Sequence, residues 1–276
     1  MIPLLGLAGE AGSLLSEYKK WLREGKSYLP FQDQVSEELG DIMWYVATIA
    51  SRNNLSIEDI AKENLAKLYD LYGDQDAAEP AGRIIFNFDH AYPSSEQLPR
   101  HLQIELRDVS GKLDLVYNGS SIGDRLTDNS HIQDGYRFHD VFHFGCGVLL
   151  GWSPVMRRIF KCKRKSEPTV DEVEDGARAL VTEEGVSAFV FEYARKRDML
   201  KDAKKVSYDL LRTIRDLVSP FEVRVRSLSE WNDAIIKIYA VWRPMIESRG
   251  GIFVGDPDAG TLSYEPLPAT PVRSPF

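Results

Sequence analysis

The segment 35–49 constrains the fold more than any other. Val35, Leu39, Ile42, Met43, Val46 and Ile49 recur at helical spacing and form one apolar stripe. The spacing predicts a helix with one buried face. Glu38 and Asp41 are three residues apart, so they sit one turn from each other on the flank of that stripe. Two carboxylates at the edge of a core repel each other. A solvated acidic flank tolerates that repulsion; a hard divalent cation such as Mg²⁺ offsets it.

A second acidic helix precedes it. Leu4, Leu7, Ala8, Ala11, Leu14, Leu15, Tyr18 and Leu22 mark its apolar stripe, and Glu10, Ser13 and Glu17 share one face beside it. An antiparallel pair would bring Glu10 opposite Glu38 and Asp41, giving oxygens from two facing helices for an inward metal cage. Lys19, Lys20, Arg23 and Lys26 cluster around the connection 23–34. They are placed to approach phosphates or to stay solvated; both readings fit. Ser56–Asp59 reads as a capping box that opens a third helix, ending near Leu71 and carrying Asn64 and Lys67 on one face.

Gly6-Leu7-Ala8-Gly9-Glu10-Ala11-Gly12, followed by Glu37-Glu38-Leu39-Gly40-Asp41 and Trp44-Tyr45, resembles the MazG-like nucleoside triphosphate pyrophosphohydrolases. The resemblance covers residues 4–71. It implies an all-α bundle with Glu-x-x-Glu on one helix and Glu-x-x-Asp on the next. It also implies Mg²⁺ (or Mn²⁺) at Glu10, Glu38 and Asp41, and cleavage of a (deoxy)nucleoside triphosphate to the monophosphate and pyrophosphate. Glu37 or Glu17 would then orient water or hold a second ion. Asn64 and Lys67 would contact the nucleotide, with Lys19 near the phosphates. Trp44 or Tyr45 is placed either to stack on the base or to fill the core. Two departures stand out. Ser13 occupies the position of the second acid of the first pair, a weaker and neutral ligand, so affinity should fall unless another acid compensates. The family's usual helix ahead of the Glu10 helix is expected to be missing from this stretch: another subunit then completes the bundle, or the sequence starts late, or the domain is degenerate. In the first case a homodimer or higher oligomer is expected, to cover the apolar faces of the two acidic helices.

The 276 residues suit one large or two modest domains, and 43% apolar content supports a real core. The linker-like run 73–82 separates a helical domain, 1–72, from a second, 83–276. The fold class expected is mainly α: an N-terminal helical bundle, then a larger helical domain with a small β-hairpin. A net charge of −8 argues against general nucleic-acid binding. Only Cys146 and Cys162 are present, which fits a reducing cytoplasm. The first residues do not read as a signal peptide, and no apolar run nears the roughly 20 residues that span a bilayer.

In the second half, 83–89 reads as a strand. Leu102, Ile104 and Leu106, then Leu113, Leu115 and Tyr117, alternate as a hairpin with one buried face. A helix is expected from Asp134 to about Leu150. On it His139 and His143 share a face at i, i+4, with Asp140 beside them. The spacing suits a transition metal, or a buried polar face in which each imidazole meets a carboxylate such as Glu183 or Glu184. The surrounding Tyr136, Phe138, Phe142 and Phe144 tilt the reading towards burial. Lys161-Cys-Lys-Arg-Lys165 is a basic run, either a solvated loop or a phosphate site. Thr169–Glu172 reads as a capping box for a helix continuing through Glu192, two further helices follow, and the segment after Gly250 is expected to wrap the surface or fray. Glu10-x-x-Ser13 with Glu38-x-x-Asp41, and Glu184-x-x-Ser187 with Asp140-x-x-His143, suggest a second acid-plus-His site in a bundle over 130–247. The stretches 134–143 and 174–184 also resemble the C-terminal domain attached to some MazG-like proteins, which assigns no reaction. Three functions stay open: a pyrophosphohydrolase, a nucleotide sensor with turnover weakened at Ser13, and a metal-dependent phosphohydrolase centred on the His139, Asp140, His143 and Glu184 cluster.

Overall fold

A computed structural model describes residues 2–72 and 88–268. The chain divides into two compact units, Met1–Tyr69 and Asp70–Phe276.

The first unit is helical. Helix α1 (Ile2–Glu24) and helix α2 (Phe31–Arg52) are joined by a short 3-10 turn, Gly25–Ser27, and pack along their length. The start of α1 meets the end of α2, since a Cβ on Gly6 would sit 2.2 Å from the Tyr45 ring. The end of α1 meets the start of α2 through Trp21, stacked on Phe31 at 5.4 Å. The pair is therefore an antiparallel hairpin. Its less exposed positions include Pro3, Gly6, Glu10, Ser13, Glu17 and Lys20 on α1, and Val35, Glu38, Ile42, Tyr45 and Ile49 on α2. Both sets step by alternating threes and fours, the spacing of a two-helix seam. Glu38 thus lies in the seam, not on its flank. Leu39, Met43 and Val46, expected to be buried with Val35 and Ile42, are exposed, because the seam is narrower than the apolar stripe. Helix α3 (Ile57–Tyr72) starts at Ser56, whose Oγ accepts from the Asp59 backbone N–H at 3.2 Å. It packs closely against neither α1 nor α2, and its described side chains from Ile57 to Leu65 are exposed.

The second unit packs helices on a five-stranded antiparallel sheet in the order β3-β2-β1-β4-β5. The expected hairpin is present as β1 (Leu102–Val109) and β2 (Lys112–Tyr117), extended by β3 (Ser120–Leu126). Leu102, Ile104, Leu106, Leu113 and Leu115 point into the core. Helices α4 (Asp140–Leu149) and α9 (Leu228–Glu247) pack on the sheet and on each other. They can approach because α4 carries glycine at the crossing: a Cβ on Gly145 would meet Ile238 at 2.3 Å. Between them run α5 (Pro154–Phe160), α6 (Pro168–Val173), α7 (Ala177–Arg195) and α8 (Tyr208–Val218). The stripe Trp231, Ile235, Ile238, Val241, Trp242 and Met245 is buried as its periodicity requires.

Three expectations change, and a fourth falls mostly outside the described residues. The helix from Asp134 is a 3-10 turn, Tyr136–Phe138, followed by α4 from Asp140; Gly135, at φ 88°, sets the turn before it. Thr169 caps nothing, since Glu167 is the N-cap and Pro168 the first helical residue; extended Gly176 then splits one expected helix into α6 and α7. The segment after Gly250 forms β4 (Gly250–Asp256) and β5 (Thr261–Glu265), because Ile252 and Phe253 fill the core while their backbone completes the edge of β1. The strand expected over 83–89 lies mostly outside the described residues, and Phe88 to His90 form a turn.

Candidate active site

Glu10 and Glu38 in the α1–α2 seam and exposed Asp41 at its edge each offer a carboxylate oxygen, and these oxygens lie within 4.8 Å of one another. Glu38 Oε2 is buried without a hydrogen-bond partner. Burial, then the charges of Glu10 and Asp41, push the Glu38 carboxyl above its usual range. Three converging anions with an orphaned oxygen fit a hard cation, which would turn mutual repulsion into attraction.

Glu17 sits in the same seam but is already engaged. Lys20 Nζ donates to its Oε1 at 2.6 Å, and the Tyr28 hydroxyl donates to Oε2. These donors, Lys20 first, hold the Glu17 carboxyl below its usual range. Glu17 therefore does not replace the acid missing at Ser13, although Ser13 faces the seam. Glu37 falls outside the cluster. One residue from Glu38 is a 100° rotation, which puts Glu37 on the exposed face, where it accepts from Gln34 Nε2 at 3.3 Å. Lys19 is exposed. Trp44 is not core: it is 62% exposed and stands edge-on to Tyr45, centroid to centroid 4.9 Å. Asn64 lies on the exposed face of α3, and the side chain of Lys67 lies outside the described ones.

The second unit brings its own candidates together. His139, Asp140 and His143 are buried, with ligand atoms within 4.8 Å of one another. Helix α7 places Glu183 and Glu184 against them. His143 Nδ1 lies 2.9 Å from Glu183 Oε1 and His143 Nε2 lies 3.4 Å from Glu184 Oε2. Burial alone would lower the His143 imidazole, but the Glu183 and Glu184 carboxylates prevail and hold it up to about 10. Burial pushes Asp140 up, against the pull of His139 and His143. Glu183 is also fixed from elsewhere, accepting from Ser153 Oγ at 2.6 Å and from the Val155 backbone N–H at 2.8 Å, at the start of α5.

The basic run 161–165 is neither a solvated loop nor a phosphate cradle as a whole. Arg164 is buried on Asp175, with Nη2 to Oδ1 at 2.7 Å, and also reaches Glu222. Arg157 pairs in the same way with Asp89 at 2.9 Å. Sequence reading missed these pairs, because the partners are far apart in the chain and no periodicity links them.

The first unit is a helical hairpin carrying an acidic cluster and the second a mixed α/β unit, and comparison with known proteins gives both a family. Residues 83–268 match the MazG C-terminal domain, and residues 4–70 match the MazG nucleotide pyrophosphohydrolase domain. The chain belongs to the MazG family, carrying both of these domains. The family of the N-terminal domain consists of nucleotide pyrophosphohydrolases that depend on a divalent metal. The Gene 37 protein of Mycobacterium phage L5 is 38% identical over 66 residues, which are 23% of this chain and 58% of that relative. The chain thus spans less than two thirds of that relative's length. No solved structure matches.

Proposed function

We propose that the N-terminal unit hydrolyses a (deoxy)nucleoside triphosphate to the monophosphate and pyrophosphate, with Mg²⁺ (or Mn²⁺). The observation that carries this reading is the convergence of Glu10, Glu38 and Asp41 around the orphaned Glu38 oxygen, within the segment that matches the pyrophosphohydrolase family. A bound divalent cation supplies Lewis-acid polarisation of phosphate oxygens and activation of water. Glu10, Glu38 and Asp41 hold it. Lys20 and Tyr28 pin Glu17 and so stiffen the seam beside them. Exposed Lys19, with Lys67, offers positive charge to phosphate oxygens, and exposed Asn64 an amide donor. Exposed Trp44 presents a ring for the base to stack on.

The exposed apolar residues Leu4, Leu5, Leu15 and Leu22 of α1 and Leu39 and Met43 of α2 favour a homodimer or higher oligomer. No described helix is long and apolar enough to cross a membrane. Cys146 and Cys162 are free and buried, which suits work in the cytoplasm. A nucleotide panel with Mg²⁺ or Mn²⁺, read by product chromatography, tests the activity. Monophosphate and pyrophosphate from wild type and none from Glu38→Gln support it. Tight nucleotide binding with no product would support a sensor instead, and full activity in both Glu38→Gln and Asp41→Asn would sink the seam as the site. Light scattering at micromolar concentration tests the oligomer; a monomer argues against it.

A further inference from the structure

The C-terminal cluster has the makings of a second metal site, independent of the first. His139 Nδ1 lies 3.0 Å from the Tyr136 carbonyl, which can only accept. His143 Nδ1 lies 2.9 Å from Glu183 Oε1. Both acceptors place the proton on Nδ1 when the ring is neutral and leave the Nε2 lone pair free, the arrangement that metal-binding histidines adopt. The two Nε2 atoms then converge. Glu184 Oε2 lies 3.4 Å from that of His143 and 3.9 Å from that of His139, and Asp140 Oδ1 lies 3.7 Å from that of His139. His143 is fully buried, with a carboxylate oxygen beside each ring nitrogen.

The cluster also opens on space. His139, Asp140 and Glu184 form part of the wall of a cleft of about 720 Å³ between the β2–β3 hairpin and α5. Arg158 and Lys161 line the same cleft and are exposed. Two imidazoles and two carboxylates are a borderline donor set, suited to Mn²⁺, Fe²⁺ or Zn²⁺ rather than to Ca²⁺.

We propose that His139, Asp140, His143 and Glu184 bind one divalent transition-metal ion, with an open position on the cleft where Arg158 and Lys161 receive an oxyanion such as a phosphate group. Glu183 is a positioning residue: it orients His143 and is itself fixed by Ser153 and Val155.

The test uses the full chain, stripped by chelation, in the Glu38→Gln/Asp41→Asn background that silences the carboxylate seam. Co²⁺ is titrated while visible absorption is followed, and Zn²⁺ is titrated while the imidazole nitrogen signals are followed by NMR. One equivalent of Co²⁺ with nitrogen-ligand bands, and shifts of two imidazole Nε2 signals with Zn²⁺, are expected. Glu184→Gln should weaken binding by about tenfold or more. His139→Asn should do likewise; if it fails to fold, half-exposed Glu184 decides alone. Loss of all binding in the silenced background, or wild-type affinity in Glu184→Gln, overturns the site. Inorganic phosphate should shift the Co²⁺ bands, and less so in Arg158→Ala/Lys161→Ala. An unshifted spectrum overturns the oxyanion position.

Discussion

Glu38 and Glu183 are both carboxylates drawn into helix–helix contacts, yet their surroundings are opposite. Glu38 faces Glu10 and Asp41, and its buried Oε2 has no partner. Glu183 is completely buried, and its oxygens meet the Ser153 hydroxyl, the Val155 N–H and the His143 ring. The first cluster is all anion, whereas the second carries its own counter-charge in the His143 ring. Burial alone therefore does not mark a cation site; what is left unsatisfied there does.

The contrast is broken most forcefully at His143. His143→Ala leaves Glu183 without its imidazole partner in a dry environment, which should cost about 3–5 kcal/mol in urea unfolding of the C-terminal unit. The pH dependence has a definite sign. The folded-state value of His143, about 10, lies above its unfolded value, so its stabilisation is complete below the ordinary imidazole range and fades as pH rises towards 10. Metal-free unfolding curves between pH 6 and 10 should show the decline in wild type and not in His143→Ala.

Glu38→Gln comes next. It should reduce turnover by about a hundredfold or more while leaving the C-terminal unit untouched, measured as pyrophosphate release at saturating Mg²⁺. Ser13→Glu adds a fourth acid to the Glu10, Glu38 and Asp41 cluster and should tighten Mg²⁺ binding by about tenfold in calorimetry, one added anionic ligand to a hard cation. Unchanged affinity would show that position 13 does not reach the ion.

The smallest effect is on the metal-free stability of the seam. Glu38 titrates above its unfolded value, so between the two values the folded chain binds more protons than the unfolded one. Stability then falls as pH rises through that window. Glu38→Gln should flatten the dependence and raise the metal-free melting temperature slightly, and Mg²⁺ should erase the difference in wild type. A steeper dependence in the variant would mean that Glu38 is not repelled.

Much of this was legible in the sequence, for identifiable reasons. The acidic helices, the β1–β2 hairpin and the Trp231–Met245 stripe follow from short-range spacing, which helices and strands convert directly into faces. The rotation of α2 did not follow. Its apolar residues spread over more of the helix than one neighbour can cover, so periodicity could not say whether Glu38 or Leu39 faces α1. Strands β4 and β5 were equally hidden. Gly250-Gly-Ile-Phe-Val254 becomes a strand through its partner in β1, and two adjacent glycines read locally as a break. Nor could Arg157 and Arg164 be told from solvated basic residues, since Asp89, Asp175 and Glu222 reach them only through tertiary structure.

The central strand of the sheet also imposes an order in time. Leu102 pairs with Gly255 and Arg107 with Gly250, so one edge of β1 is closed by residues made almost the whole length of the unit later. Until they leave the ribosome, the β1–β3 meander holds an open row of backbone groups above a half-assembled core. Such an edge invites pairing with a second nascent copy, and closure over so long a loop is slow. For this chain, the last strands synthesised decide whether the earlier ones fold alone or aggregate.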